Sequence, residues 1–456
     1  MTGQEEEQYK KMTQTPIPRL ITTLAVPTIV SMLVTSVYNM ADTFFVSKLG
    51  TSATGAVGIV FSLMAIIQAV GFMLGMGAGS QLSRLLGAKK HREASEVGAT
   101  AFYLAIIFGL LLTVFGLIFI DPLMRLLGAT STILPYARDY ARYILLGASV
   151  MCASFVLNNI LRGEGKATLA MIGIGTGGIL NIGLDPLFIF VFNMGIAGAA
   201  IATVLSQCIS FLILLFFFLR GKSLISLNIR NVSKHGKVYI SIIKTGLPSL
   251  CRQGLASIST VALNVNAALY GDAAVAAMSV VNRIFMLMLS VLLGFGQGFQ
   301  PVVGYNYGAK RYDRVRQSIR FAIGGGTVVM VILAVFGFIF APQLMAIFRK
   351  DDAEVIAIGA LACRAQCVAL MIAPLSTICN MLFQCTGKAA LATFVASCRQ
   401  GICFLPLILI LPRIIGLLGV QLTQPLADMI TMVICIPLLK RFFRELKKEE
   451  AAFLEG

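Results

Sequence analysis

The chain has 456 residues, 57% of them hydrophobic and only 12% charged, with a formal net charge of +17. That balance excludes a water-soluble globular protein, because apolar stretches of about 20 residues, enough to cross a bilayer, recur along the whole length. It does not indicate a nucleic-acid partner either, since the basic residues are gathered in the short connections between those stretches.

The first residues, MTGQEEEQYKKMTQ, are polar and carry no apolar core behind a basic start, so they are not read as a signal peptide. The apolar runs then predict an all-α integral membrane protein of twelve transmembrane helices. Their edges fall at about 18–47, 53–79, 97–120, 136–161, 168–192, 195–219, 239–269, 273–300, 318–341, 355–384, 390–412 and 416–439. Lysine and arginine crowd the N-terminal tail (Lys10, Lys11, Arg19) and the even-numbered connections, as at Arg84, Lys89, Lys90 and Arg92 or Lys310, Arg311, Arg314 and Arg316. The odd connections hold few, among them Lys48, Arg125 and Arg413. The positive-inside rule therefore predicts a multi-pass protein of the cytoplasmic membrane with both termini cytoplasmic, as an even number of spans also requires.

The second half repeats the first. AVPTIVSMLVTSVYNMADTFFVSKLGTSATGAVG aligns with GLPSLCRQGLASISTVALNVNAALYGDAAVAAMS at an offset of 221, pairing Pro27 with Pro248 and Gly50 with Gly271. LNNILRGEGKATLA aligns with CNMLFQCTGKAALA at 222, pairing Asn158 with Asn380 and Gly165 with Gly387. A repeat of six spans, an even number, enters the membrane twice from the same side. This divides the chain into a first lobe at 1–219 (spans 1–6), a basic cytoplasmic linker at 220–238, and a second lobe at 239–456 (spans 7–12) ending in a basic tail.

Charge inside a span costs at least about 2.5 kcal/mol and marks an ion or substrate path. Asp42 in span 1, Asp185 in span 5 and Thr203 in span 6 each lie about eight residues from an outer end, roughly 12 Å deep at the helical rise. Asn181 precedes Asp185 by one turn and shares its face. Three helices thus bring two carboxylates, an amide and a hydroxyl to one level, a set suited to a proton or a hard cation such as Na⁺. The repeat replaces Asp42 by Leu263, Asn181 by Cys403 and Asp185 by Leu407, so the first half alone keeps the constellation. The competing reading is that Asp42 caps or snorkels and that Asp185, followed by Pro186, opens a kink. Pro27, in the middle of span 1, is the expected hinge, because proline removes a helix hydrogen bond. In the second half the intramembrane charges are mostly basic. Arg252, with the adjacent Gln253, Arg399 and Asp428 reach similar mid-membrane depth and are expected to form a buried cluster, either structural or recognising an anionic part of a substrate.

Taken in order, the duplicated twelve-span plan, the P-x14-D pattern of span 1, GAGS with R-x-x-GAKK, LRGEGKA, and NIGLDPLFIF followed by GIAGAAIAT resemble the multidrug and toxic compound extrusion (MATE) family in its DinF-like branch, over nearly the whole chain. The resemblance implies two pseudo-symmetric six-helix lobes around a central cavity and a cation-coupled antiporter, driven by H⁺ or Na⁺, that exports small amphipathic, often cationic compounds by alternating access. It places the coupling site at Asp42, Asn181, Asp185 and Thr203. A branch that carries acidic coupling residues in the second lobe fits less well, because span 7 reads PSLCRQG.

The remaining motifs point away from an enzyme. GMGAGS imitates a phosphate-binding glycine run, yet its repeat partner GFGQGF occupies the equivalent place, which suits close helix packing. His91 and His235 lie in basic connections, the ten cysteines fall in apolar spans, and neither set suggests a metal or cofactor. Met286, Met288 and Phe285 in span 8 are candidates for an adaptable greasy cavity wall. No obligatory protein partner is expected beyond the membrane lipid. The alternative function is a flippase for lipid-linked precursors, which the second-lobe arginines would serve.

Overall fold

Why the chain folds as it does begins with its apolar runs, which can satisfy their backbone inside a bilayer only as helices. The computed structural model describes residues 3–348 and 352–455, and among these the regular structure is helical throughout, with no strand. After a short helix α1 (Gly3–Gln14) come α2 (Ile17–Ser47), α3 (Thr51–Gly87), α4 (His91–Ile118) and the short α5 (Ile120–Leu126). The fourth span is a pair, α6 (Leu134–Leu146) and α7 (Ala148–Gly163), bent by 50°. The first half closes with α8 (Ala167–Pro186), which runs into a π turn at Leu187–Val191, and α9 (Gly195–Leu219).

The second half repeats the order with α10 (Gly236–Ala268), α11 (Asp272–Gly308), α12 (Tyr312–Ile339), the short α13 (Ala341–Phe348) and α14 (Ala353–Cys385). Then α15 (Ala389–Ser397) passes through a π turn at Cys398–Ile402 into α16 (Phe404–Ile415), and α17 (Leu417–Glu455) ends the described chain. Ten of these spans are long and apolar enough to cross a membrane, and the bent pair makes eleven. The twelfth, α10, has the length, 33 residues or about 50 Å. Its apolarity is diluted by Lys244, Arg252, Gln253, Asn264 and Asn266.

Helix edges match the expected ones closely except where helices outrun the apolar core. Helix α17 continues through the basic tail because ion pairs hold it, Lys388 to Glu445 and Arg316 to Glu450. The N-terminal tail, expected only to be polar, is the helix α1, anchored by Gln8 Nε2 donating to the Glu164 carbonyl at 2.7 Å and by Asn306 Nδ2 donating to the Met12 carbonyl at 3.1 Å.

The duplication is visible in the backbone. Left-handed conformations recur at Gly50 and Gly271 (φ 116° and 99°), at Gly165 and Gly387 (81° and 83°), and even at the non-glycine pair Lys89 and Lys310 (61° and 56°). Asn158 and Asn380 each donate from Nδ2 to a carbonyl twelve residues on, that of Ala170 or Ala392. The same local sequence has built the same connection twice.

The lobes meet mainly where α3 packs on α10 and α11 and where α2 packs on α11. A Cβ on Gly246 would collide with the Met73 carbonyl, and one on Gly77 with that of Ile242, so glycine alone allows this approach. Cross-lobe hydrogen bonds such as Gln81 to Thr245 (3.1 Å) and Arg314 Nη2 to the Thr15 carbonyl (2.6 Å) seal the end that carries both termini. Toward the opposite end, those among the described residues stop at Ser36 and Ser290, 2.8 Å apart near mid-span.

Candidate functional site

In the first lobe, small residues bring the polar ones together. Helix α8 contains GIGTGG, and a Cβ at Gly178 would press on Val34 and Tyr38 of α2 at 2.7 and 3.2 Å, while one at Gly177 would meet Ser210 of α9 at 2.8 Å. Close approach of α2, α8 and α9 sets Asp42, Asn181, Asp185 and Thr203 at one level, all buried. Asn181 Nδ2 donates to Asp185 Oδ1 and to Thr203 Oγ1, both at 3.3 Å. Thr203 Oγ1 donates to the Ala199 carbonyl at 3.0 Å. The π turn begins directly after Pro186, so the Asp-Pro step does end the α-helix, and it does so with Asp185 already inside the cluster.

Asp42 faces this group from α2 and accepts a hydrogen bond from Tyr140 of α6 at 3.4 Å. Its charge is within electrostatic reach of Asp185. Neither acid has an ion-pair partner among the described residues, and three buried oxygens, Asp42 Oδ1, Asn181 Oδ1 and Asp185 Oδ2, receive no hydrogen bond. Such a surplus of acceptors in a dry interior is costly unless a proton or an oxygen-seeking cation fills it.

Tyr140 was missed by reading intramembrane charge alone. The same contrast between halves that singles out Asp42 would have found it, since an offset of 222 pairs it with Ala362.

The second lobe departs from expectation. Arg399 Nε donates to Asp428 Oδ1 at 2.8 Å and its Nη2 reaches Oδ2 at 3.5 Å, while Gln424 Nε2 donates to Oδ1 at 3.0 Å. Arg252 is not part of that pair, and its Nη2 instead lies 3.6 Å from the Met76 sulfur of α3. The expected cluster is therefore one ion pair beside one arginine without a carboxylate. The cause is local: Arg399 sits on the π turn that points it toward α17, whereas Arg252 on α10 faces the first lobe. Both arginines, with Gln253, Gln400 and Met286, line one cavity. Phe285 lines a neighbouring pocket with Met286, but Met288 packs near Gly337 instead.

The MatE family profile matches residues 27–187 and again 248–410. The chain belongs to the MATE family. The second match starts 221 residues after the first, the offset of the sequence repeat. The multidrug export protein MepA of Staphylococcus saprophyticus is 25% identical over 433 residues, 95% of each chain. A multidrug-resistance MATE transporter of the MOP superfamily, solved in an outward-facing conformation, superposes with a TM-score of 0.91 at 29% identity, covering 96% of this chain and 98% of that one. A MATE solved in a bent conformation gives 0.90 at 29% identity over 99% and 100%. This MATE protein is thus a multi-pass membrane transporter of two six-helix lobes and not an enzyme.

The LRGEGKA motif of this MATE lies at the sealed end. Arg162 is buried, donates from Nη1 to Gln297 Oε1 across the lobe interface, and leaves Nη2 without a partner. The Glu164 carboxylate is fully buried; it accepts from the Ser223 hydroxyl and from the Leu224 amide at 2.9 Å, with Lys166 Nζ at 3.6 Å. Burial raises its pKa above the usual 4.5 against the opposing pull of Lys166 and these donors. It ties the inter-lobe segment to the first lobe. GMGAGS proves to be a packing motif, with Gly75 and Gly79 against Asn159 and Gly77 against α10.

Proposed function

We propose that this MATE transporter exports small amphipathic, often cationic compounds across the cytoplasmic membrane by alternating access, in exchange for H⁺ or Na⁺ taken up at Asp42, Asn181, Asp185 and Thr203. The observation that carries this reading is the trio of buried, donorless oxygens on the first three of these residues. The ion is a transported substrate, and no resident cofactor is invoked. When it binds, the repulsion between the two carboxylates falls and α2 can pack against α8 and α9 differently. Pro27 leaves the Thr23 carbonyl without its helical donor and makes bending of α2 inexpensive at that point.

The multidrug name of the staphylococcal relative supports the substrate class. The loop distribution of lysine and arginine supports cytoplasmic termini, which makes the sealed end the inner one and the arrangement outward-facing. The twofold profile match supports lobes at 1–219 and 239–456 joined by 220–238.

A lipid-linked precursor flippase remains the second reading, favoured by the unpaired Arg252 in the second-lobe cavity. Proteoliposomes loaded with cationic dyes or with lipid-linked sugars separate the two. Dye efflux that follows an imposed H⁺ or Na⁺ gradient is expected, and gradient-independent movement of the lipid-linked sugar alone would overturn the proposal.

A further inference from the structure

We infer that the second-lobe cavity is an anion-recognising subsite, in which Arg252 takes the carboxylate of an amphipathic small molecule. The inference deepens the export reading, on which it rests for the path by which such a molecule leaves.

Charge bookkeeping within the cavity comes first. Its lining carries two guanidinium groups, and the nearby carboxylate, Asp428, is engaged through both oxygens by Arg399 and through Oδ1 by Gln424. Arg252 is left with a thioether as its side-chain partner. A guanidinium at mid-membrane depth without an anion is expensive, and its five donors are better matched by a carboxylate, which two N–H groups can grip side by side. Two further donors are free for the same guest: among the described residues, the side-chain amides of Gln253 and Gln400 have no other hydrogen-bond partner.

The rest of the wall is apolar and adaptable, formed by residues such as Met286, Leu289, Leu293 and Val395. One unpaired positive charge in such a wall selects, among the exported amphiphiles, those with an acidic end. The π turn at Cys398–Ile402 is the backbone device that opens this geometry. It gives Arg399 to Asp428 and Gln400 to the cavity, and the Gln400 carbonyl is held by the Ser259 hydroxyl of α10.

The test is binding without any ion gradient, by fluorescence titration of the protein in phosphatidylcholine nanodiscs with two probes that share one fluorophore, dansylglycine (carboxylate) and dansylamide (neutral). The wild type should bind dansylglycine about tenfold more tightly than dansylamide. Arg252→Gln should remove that preference by weakening dansylglycine about tenfold, while leaving dansylamide within about twofold. Arg252→Lys, which keeps the charge but not the fork, should weaken dansylglycine about threefold and decides the matter if the glutamine variant does not fold.

Equal affinity for the two probes in the wild type, or parallel loss of both in the arginine variants, overturns the inference. So does abolition of dansylglycine binding when part of the phosphatidylcholine is replaced by phosphatidylglycerol, which would make an anionic lipid the occupant. Asp42→Asn should keep the probe preference unchanged. Persistence of full ion-driven transport in that variant and in Asp185→Asn would defeat the coupling proposal alone, and a missing probe preference would defeat this inference alone.

Discussion

At the residue scale, burial decides which polar groups have work beyond packing. Asp42 and Asp185 are buried without cationic partners, whereas Asp428, equally buried, is neutralised by Arg399. Asp42→Asn or Asp185→Asn keeps the shape and removes the charge that must be balanced. Each is expected to abolish gradient-driven export in proteoliposomes while the protein remains folded and membrane-inserted; full ion-driven transport by both would refute the assignment. For the pair, removing either Arg399 or Asp428 leaves a buried charge and should cost about 3–5 kcal/mol, with much of the loss recovered when both are replaced. A double-mutant cycle on thermal stability should therefore show strong coupling for Arg399 with Asp428 and additivity for Arg252 with Asp428.

Glu164 gives a pH dependence whose sign follows from its burial. Because the folded chain holds this proton more tightly than the unfolded one, its contribution is complete below pH about 4.5 and is lost as pH rises through the raised value. Relative to Glu164→Gln, whose side chain is neutral throughout, wild-type Tm should fall across the window just above pH 4.5 in a thermal-shift series. Parallel curves would show that Lys166, Ser223 and Leu224 compensate the buried charge completely.

At the scale of elements, α2 is a single helix from Ile17 to Ser47 with Pro27 inside it. It packs on α8 in its own lobe and on α11 in the other, so bending it reshapes the proposed cation site and the lobe interface together. Pro27→Ala restores the missing hydrogen-bond donor and stiffens the helix. Turnover should drop about tenfold while equilibrium substrate binding changes little, as expected where a conformational step limits the rate. Unchanged turnover would remove the hinge.

For the molecule as a whole, the seal between lobes rests on backbone contact. Gly246 leaves no room for a side chain beside Met73, so Gly246→Val should force α10 from α3 at a cost of about 1–3 kcal/mol. The sealed state should lose population, read as faster modification, from the face carrying the termini, of a cysteine introduced at Ser80 in a cysteine-free background. An unaltered modification rate would mean that the interface relaxes without opening.

Much of this protein was legible in the residues alone because a bilayer leaves a chain few choices. Helices were required, the apolar lengths placed their ends, and the internal repeat paired Pro27 with Pro248 and Gly165 with Gly387. The first-lobe residues Asp42, Asn181, Asp185 and Thr203 could be singled out by depth and by their loss in the other half, since depth along a helix is a one-dimensional quantity. Rotation about the helix axes and pairing between helices are not. Tertiary structure alone decided that Tyr140 reaches Asp42, that Asp428 chooses Arg399 over Arg252, and that Arg162 meets Gln297 across the lobes. In each case the partners are far apart in sequence and brought together by packing of separate helices, and for Arg399 by a π turn that no periodicity announces.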